Sequence, residues 1–145
     1  MKILFILFIF LISYNLSFSQ EEISLFDSKG KAIAFINLDD LTIYLWEGKP
    51  VAYLSQSNGD YNIYGFNGKH LGWFIKGIIR DHEGDAVGST KEATSNFKDF
   101  EPFKGFKEFK PFKSFKEFEP FKPFFSASWS VTNFKLFLIQ GVGDR

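Results

Sequence analysis

The sequence of 145 residues contains no cysteine, only two histidines and no net formal charge, since 17 basic side chains balance 17 acidic ones. Without cysteine the chain forms neither a disulfide nor a thiolate metal site, and it cannot be acylated as a lipoprotein. Residues 23–94 carry nine acidic and seven basic side chains. Because this charge balance gives no attraction to a phosphate backbone, we expect no nucleic-acid partner.

Motifs that carry catalysis are also lacking. The sequence has no glycine-rich phosphate loop, no paired carboxylates with a pocket signature and no Ser/His/Asp arrangement. His70 and His82 lie near turns, where surface positions are expected, and a metal ion would need them to converge with carboxylates such as Asp81 or Asp85. We therefore expect no enzyme, no metal site and no cofactor. Around Asp81 a structural ion pair or turn cap is expected, and a polar ligand site using Arg80 and His82 is the alternative.

The N-terminus predicts export. Lys2 precedes ten apolar residues, 3–12, and a polar segment ends near Ser19 and Gln20. Ten helical residues at ~1.5 Å each cover about half of a ~30 Å hydrocarbon core, so a spanning anchor is not expected. The pattern is typical of a secretory signal peptide over residues 1–20. The mature protein would then be periplasmic or extracellular.

The main positive feature is a unit that recurs four times between residues 23 and 94. Each unit has a glycine, an aliphatic residue five positions before it, another three after it and a very small residue four after it. Polar residues before glycine, flanked by β-branched and aromatic runs, predict strand, tight turn, strand. The repeat glycines are Gly30, Gly48, Gly68 and Gly84, and the small residues are Ala34, Ala52, Gly72 and Gly88. We predict an all-β domain over residues 21–94, with four β-hairpins around a pseudo-four-fold axis.

Two details of the hairpins can be predicted further. The small residues indicate either that four backbones approach each other near the axis or that a flat contact between sheets needs small side chains. Asn67-Gly68 suits a two-residue turn, whereas Glu47 and Glu83 favour three-residue loops with a left-handed glycine.

Residues 43–54, 63–74 and 79–88 together resemble the four-fold beta-flower protein family. The resemblance covers residues 23–94 and extends less closely to the Lys/Pro/Phe tail, and it implies a small all-β domain of four hairpins around a pseudo-four-fold axis. It implies no established activity and no catalytic residues. The phenylalanine-rich segment and the stretch after Trp129 depart from the resemblance.

The aromatic residues of the hairpins give a second hypothesis about function. Exposed aromatic platforms suit sugar rings or short apolar peptides, whereas buried ones would build the core of a small domain. The candidate ligand-binding residues are Tyr44, Trp46, Tyr64, Phe66, Trp73, Arg80 and His82.

Residues 95–125 form a low-complexity tail in which phenylalanine returns every third residue, ten times from Phe97 to Phe124. A period of three matches polyproline II, with the rings on one edge and seven lysines on a second; disorder is the alternative. Twenty-eight residues at ~3.1 Å would extend ~87 Å, so the tail must project, wrap or bind a partner. Candidate partners are an envelope component, a membrane surface or another copy of the tail. Its net charge of about +2 makes purely electrostatic attachment to lipid weak.

Residues 126–145 form a C-terminal segment in which 126–130 suggests a loop and 131–140 a short strand. The sequence as a whole favours an exported, non-enzymatic binding or structural protein, with a small β domain and an attachment tail at the cell envelope. The alternative is a carbohydrate- or peptide-binding module that uses exposed aromatics of the hairpins.

Overall fold

The computed structural model describes residues 21–143, and the predicted signal peptide lies outside them. Over this range eight antiparallel strands, paired in sequence order, close into a barrel that is followed by one short helix. The strands are β1 (Glu22–Phe26), β2 (Ala32–Asn37), β3 (Thr42–Leu45), β4 (Pro50–Ser57), β5 (Asp60–Gly65), β6 (His70–Ile75), β7 (Ile78–Arg80) and β8 (Ala86–Ser89), and the helix is α1 (Phe134–Ile139). The predicted all-β fold is confirmed.

The four hairpins β1–β2, β3–β4, β5–β6 and β7–β8 share one register. In each, the aliphatic residue five positions before the glycine pairs with the small residue four positions after it, and the register shifts immediately afterwards. The pairs are Leu25 with Ala34, Ile43 with Ala52, Ile63 with Gly72, and Ile79 with Gly88. Since a bulge bends its strand, each hairpin bends at an equivalent point. The sequence repeat is therefore a structural repeat.

The four hairpin turns also share one geometry, with each repeat glycine at positive φ. The prediction of a two-residue turn at Asn67-Gly68 is wrong. Gly68 donates its N–H to the carbonyl of Gly65 (3.0 Å), and Gly65 donates to the carbonyl of Lys69 (2.9 Å), which defines a three-residue loop. Asn67 keeps negative φ, because its side-chain oxygen accepts the N–H of Lys69 (3.0 Å) and holds an Asx turn.

A two-residue turn occurs instead at Asn58-Gly59, between β4 and β5. Both residues have positive φ, 51° and 85°, and the flanking residues Ser57 and Asp60 are paired. The turn connects the second hairpin to the third.

The core fills the inside of the barrel with one cluster of aliphatic side chains and three residues of α1. The three residues are Phe134, Phe137 and Leu138. A Cβ on Gly88 would lie 2.5 Å from Cζ of Phe134, and a Cβ on Gly72 would lie 1.9 Å from the carbonyl oxygen of Arg80. Gly72 thus admits the backbone of the next hairpin, as expected for a close approach of backbones, whereas Gly88 makes room for a ring of the helix.

The prediction of a strand over residues 131–140 is wrong, since α1 occupies this range. Asn133 caps the helix, its side-chain oxygen accepting the N–H of Leu136 (3.1 Å). The buried residues Phe134, Phe137 and Leu138 follow the i, i+3, i+4 pattern of one helical face. The apolar content suggested a strand, but its period is helical.

The C-terminal segment also pairs with the wall of the barrel. β1 and β8 are joined through a single residue pair, Phe26 with Ser89. Farther along β8, Ala86 donates its N–H to the carbonyl of Ser128 (3.0 Å), and Ser130 donates to the carbonyl of Ala86 (2.8 Å). The segment predicted as a loop therefore adds a short parallel bridge to β8.

Because α1 is part of the core, truncating its buried leucine should destabilise the fold far more than truncating its exposed leucine. Leu138 is fully buried and Leu136 is mostly exposed. Leu138→Ala should lower the free energy of unfolding by ~2–5 kcal/mol, whereas Leu136→Ala on the same helix should change it by less than ~0.5 kcal/mol. Urea denaturation followed by circular dichroism measures both, and similar losses would contradict this packing.

Candidate binding surface

Residues 97–126, here called the belt, wrap around the barrel across the four hairpin turns. Belt residues spaced nine apart donate their N–H to the carbonyls of the repeat glycines, in chain order. The bonds run from Asp99 to Gly30 (2.8 Å), Glu108 to Gly48 (2.9 Å), Glu117 to Gly68 (2.9 Å) and Ser126 to Gly84 (3.1 Å). Of the three possibilities for the tail, wrapping is the one observed. The belt contains neither helix nor strand, and its polyproline II character stays a prediction.

The repeat glycines are required by the belt as well as by the turns. A Cβ on Gly48 would lie 1.9 Å from the carbonyl oxygen of Phe106, and one on Gly30 would lie 1.8 Å from that of Phe97. Real Cβ contacts do not reach such distances. Glycine is therefore needed at these positions for its positive φ and for the close passage of a second backbone.

The belt has a nine-residue repeat that the triplet of phenylalanines obscures in the sequence. Pro102, Pro111 and Pro120 are nine apart, and Gly105 and Ser114 occupy another matched slot. Gly105 donates its N–H to the carbonyl of Trp46 (2.9 Å), and Ser114 donates to that of Phe66 (2.8 Å). Proline has no N–H to donate and here occupies slots from which no backbone N–H donates to a turn, although the carbonyl of Pro102 accepts the indole N–H of Trp46 (3.1 Å). The spacing of these prolines is the signal that sequence reasoning missed.

The lysine edge of the belt covers aromatic clusters on the outer wall, at the seams between neighbouring hairpins. The first seam holds Phe35, Tyr44 and Trp46, and the second holds Tyr53, Tyr64 and Phe66. Lys104 Nζ lies 4.9 Å from the ring centroid of Phe35 and 5.0 Å from that of Trp46. Nine residues later, Lys113 Nζ lies 4.1 Å from the centroid of Tyr53. Each seam therefore binds the belt through cation–π contacts.

At the third seam the barrel supplies the cation and the belt supplies the aromatic ring. Arg80 stands in the barrel slot that tyrosine fills in the other seams, and Phe125 stands in the belt slot nine residues after Lys116. The Arg80 guanidinium carbon lies 5.2 Å from the centroid of Phe125, and the ring of Trp73 lies 6.4 Å from the same ring. Arg80 also donates to the carbonyls of Gly84 (3.1 Å) and Ser126. The contact type is conserved between seams although its partners are reversed.

The five aromatic residues predicted to bind a ligand lie beneath the belt. They are 0–8 % exposed: Tyr44, Trp46, Tyr64, Phe66 and Trp73. These rings are not the exposed platforms that a glycan- or peptide-binding site would need. Their neighbours Arg80 and His82 belong to the third seam, where Arg80 binds the belt.

Ion pairs along the belt use carboxylates of the barrel. Lys104 and Lys107 reach Glu22 (2.9 and 2.8 Å), and Lys110 reaches Asp40 (2.5 Å). Burial raises the pKa of the Glu22 carboxyl, but the hydrogen bonds and charges of the two lysines outweigh burial and lower it overall. Exposed pairs of this kind contribute ~0–1 kcal/mol each. These ion pairs therefore contribute more to the orientation of the belt than to the free energy of its docking.

The two histidines meet at the third seam in a hydrogen-bonded chain. His70 Nε2 is 2.8 Å from the side-chain oxygen of Asn62, and His70 Nδ1 is 3.0 Å from Nε2 of His82. Asn62 can only accept through that oxygen, so His70 carries its proton on Nε2 and accepts from His82. Burial, aided by the charge of His82, lowers the pKa of His70 to about 4. The surface position expected for His70 is wrong, because the ring is buried; His82 is exposed.

Neither histidine meets a carboxylate cluster. Over residues 21–143 no group of three or more His, Cys, Asp or Glu side chains could hold a metal ion. Asp81 instead accepts the N–H groups of Glu83 (3.1 Å) and Asp85 (2.9 Å). It is a turn cap, one of the two structural roles expected for it.

The phenylalanine edge of the belt faces solvent. From Phe97 to Phe124 the ten side chains are 81–103 % exposed. The belt therefore uses its backbone and its lysines for docking and presents its rings outward. This face is the candidate binding surface.

The fold and the belt define a class of protein: a small antiparallel barrel of four equivalent hairpins, bound by its own C-terminal segment. The family model of the 4-fold beta flower protein matches residues 23–138. The chain belongs to this family. The match runs through the belt, as the weaker resemblance of the tail indicated, and through most of α1, so the expectation that the stretch after Trp129 departs from the family is wrong. Neither curated proteins nor solved structures match the chain. Among the described residues no helix is long and apolar enough to cross a membrane.

Docking of the belt on the hairpin turns can be isolated by comparing two glycines. Gly48 and Gly59 both have positive φ, but only Gly48 has the belt backbone against it, and nothing lies within 4 Å of a Cβ on Gly59. Alanine at either position pays ~1–2 kcal/mol for the left-handed backbone. Gly48→Ala should lose a further ~1–3 kcal/mol from the clash. Equal losses in chemical denaturation would contradict docking at this turn.

The buried His70 should make stability depend on pH. Its folded pKa lies below the ordinary value, so the unfolded chain binds the proton more readily and stability falls as pH drops from about 6.5 to about 4. The loss should be on the order of 3 kcal/mol. Urea denaturation of the wild type and of His70→Gln between pH 7 and 4.5 measures this loss. His82→Gln is the control and should keep most of the dependence, because burial is the larger cause. An unchanged slope in His70→Gln would refute this role.

Proposed function

We propose that the protein is exported and serves as a non-enzymatic attachment protein of the cell envelope, with the belt phenylalanines as its binding face. The barrel positions this face and the belt presents it. One observation carries the proposal: ten phenylalanine rings at 81–103 % exposure on a segment whose other two edges are docked. The apolar N-terminal pattern of residues 3–12 supports export.

The size of the apolar face supports a binding role. Ten phenylalanine side chains at ~150–250 Å² each offer roughly 1,500–2,500 Å². The largest apolar patch on a typical monomer covers ~300–600 Å² and is often functional. Each ring left in water forgoes ~1.5–3 kcal/mol of burial free energy. A face of this extent is expected to be covered in the working protein.

The order of the belt favours binding further. Hydrogen bonds to the four turns fix the backbone that carries the rings, so little further ordering is needed when a partner binds. The lysines Lys104, Lys107 and Lys110 are engaged by carboxylates of the barrel. Attachment would therefore depend on apolar contact rather than on charge, and it would resist high salt.

The alternative, a glycan- or peptide-binding module, has less support. It needs exposed rings on the hairpins, and the rings it would use pack under the belt. The proposal assigns no chemical step to any residue.

The proposal is tested by fractionating cells that express the full chain. Phe103, Phe112 and Phe121 occupy equivalent positions nine apart and are 99–103 % exposed, so serine there should not disturb the fold. The triple variant should move from the envelope fraction to the soluble fraction, whereas the wild type should stay bound in 1 M salt and leave with detergent. Val131→Ser, at another fully exposed apolar position outside the belt, is the matched control. Equal retention of the triple variant and the control would refute the proposed face.

A further inference from the structure

We propose that the partner of the phenylalanine face is a second copy of this chain, whose belt inserts its rings between those of the first. The inference rests on the proposed function, because both use the same face, and it names the occupant of that face.

The spacing of the rings carries the argument. Phe100, Phe103, Phe106, Phe109 and Phe112 are successive and 92–103 % exposed, so these side chains stand apart from one another and from the barrel. At ~3.1 Å per extended residue, neighbouring rings are ~9 Å apart. A ring inserted midway would lie ~4.7 Å from each neighbour, within the ~4.5–7 Å range that aromatic pairs favour. Two such ladders can interdigitate as the side chains of a dry zipper do.

The area available is sufficient for a stable dimer. Five rings at ~150–250 Å² each bury roughly 750–1,250 Å² on each copy. Stable interfaces bury about 800 Å² per partner. Half of the belt therefore provides a full interface.

The charges favour another copy over an anionic lipid surface. The chain has no net formal charge, so two copies do not repel each other. Lys104 and Lys107 turn inward to Glu22, and Lys110 turns inward to Asp40. Cationic attraction to lipid headgroups is correspondingly small. Because both copies offer the same face, the contact is isologous and closes as a two-fold dimer.

The purified chain is compared with the triple variant Phe103→Ser, Phe112→Ser, Phe121→Ser by light scattering coupled to size exclusion, from 1 to 100 µM without lipid. The wild type should dimerise. The dissociation constant of the triple variant should rise at least about a hundredfold, since two of the five contacting rings, Phe103 and Phe112, are lost on each copy. Val131→Ser should behave as the wild type. Circular dichroism confirms that the variants are folded.

Cysteine cross-linking tests the contact itself, because the chain contains no cysteine. Phe106→Cys, at the centre of the five rings and so nearest the two-fold axis, should form a disulfide-linked dimer under mild oxidation, and Val131→Cys should stay monomeric. Equal cross-linking of the two variants, or dimers that survive in the triple variant, would overturn the inference.

Flotation with neutral and anionic vesicles separates the two proposals. A wild type that stays monomeric at 100 µM but floats with vesicles, while the triple variant does not, would overturn the second copy as partner and leave the attachment face standing, with a bilayer as its occupant. A monomer that ignores both vesicle types, together with unchanged envelope retention in the triple variant, would overturn both.

Discussion

The structure depends on the contact between two backbones at the hairpin turns. Each repeat glycine offers its carbonyl to an N–H of the belt, and at Gly30 and Gly48 the absence of a side chain lets the belt pass within contact distance. Without these contacts the belt lysines would not lie on the seams. The helix α1, which follows the belt in the chain, would not be placed against the core. A hydrogen bond between main-chain groups requires no particular side chain on the belt. The side chains on the other two edges of the belt can therefore serve other roles.

The repeat of the belt matches the repeat of the barrel, so the same contact forms at each of the four hairpin turns. The barrel repeats at every hairpin and the belt repeats every nine residues, so one belt repeat serves one hairpin. Nine residues contain three triplets, and each triplet has one slot for docking, one for lysine and one for phenylalanine. Proline fits docking slots from which no backbone N–H donates to a turn, as at Pro102 and Pro111. A one-residue slip in either direction would remove the lysines from the seams, placing them in the docking slot or in solvent, so the register is strongly determined.

The barrel could be predicted from the sequence because the repeat marks the paired residues. In each hairpin, the aliphatic residue before the glycine pairs with the small residue after it. The belt could be predicted only in its period of three, because its docking depends on carbonyls of the turns, and the nine-residue spacing of its prolines is masked by the triplet of phenylalanines. Whether Tyr44 and Tyr64 are exposed or buried could not be decided from the sequence, since what covers them lies more than fifty residues away. The helix was missed because a ten-residue stretch with six apolar residues suggests either element until its burial pattern is known.

The outward position of the phenylalanines follows from what the other surfaces already hold. The interior is filled by aliphatic side chains and by the rings of α1. The two aromatic seams accept cations, and at the third the barrel supplies the cation, so that Phe125 is the belt ring that packs against the wall. A belt selected for stability alone would carry polar residues on its third edge, since exposed rings add nothing to folding and promote association. Ten regularly spaced rings on a fixed backbone are therefore best explained by what they contact outside the molecule.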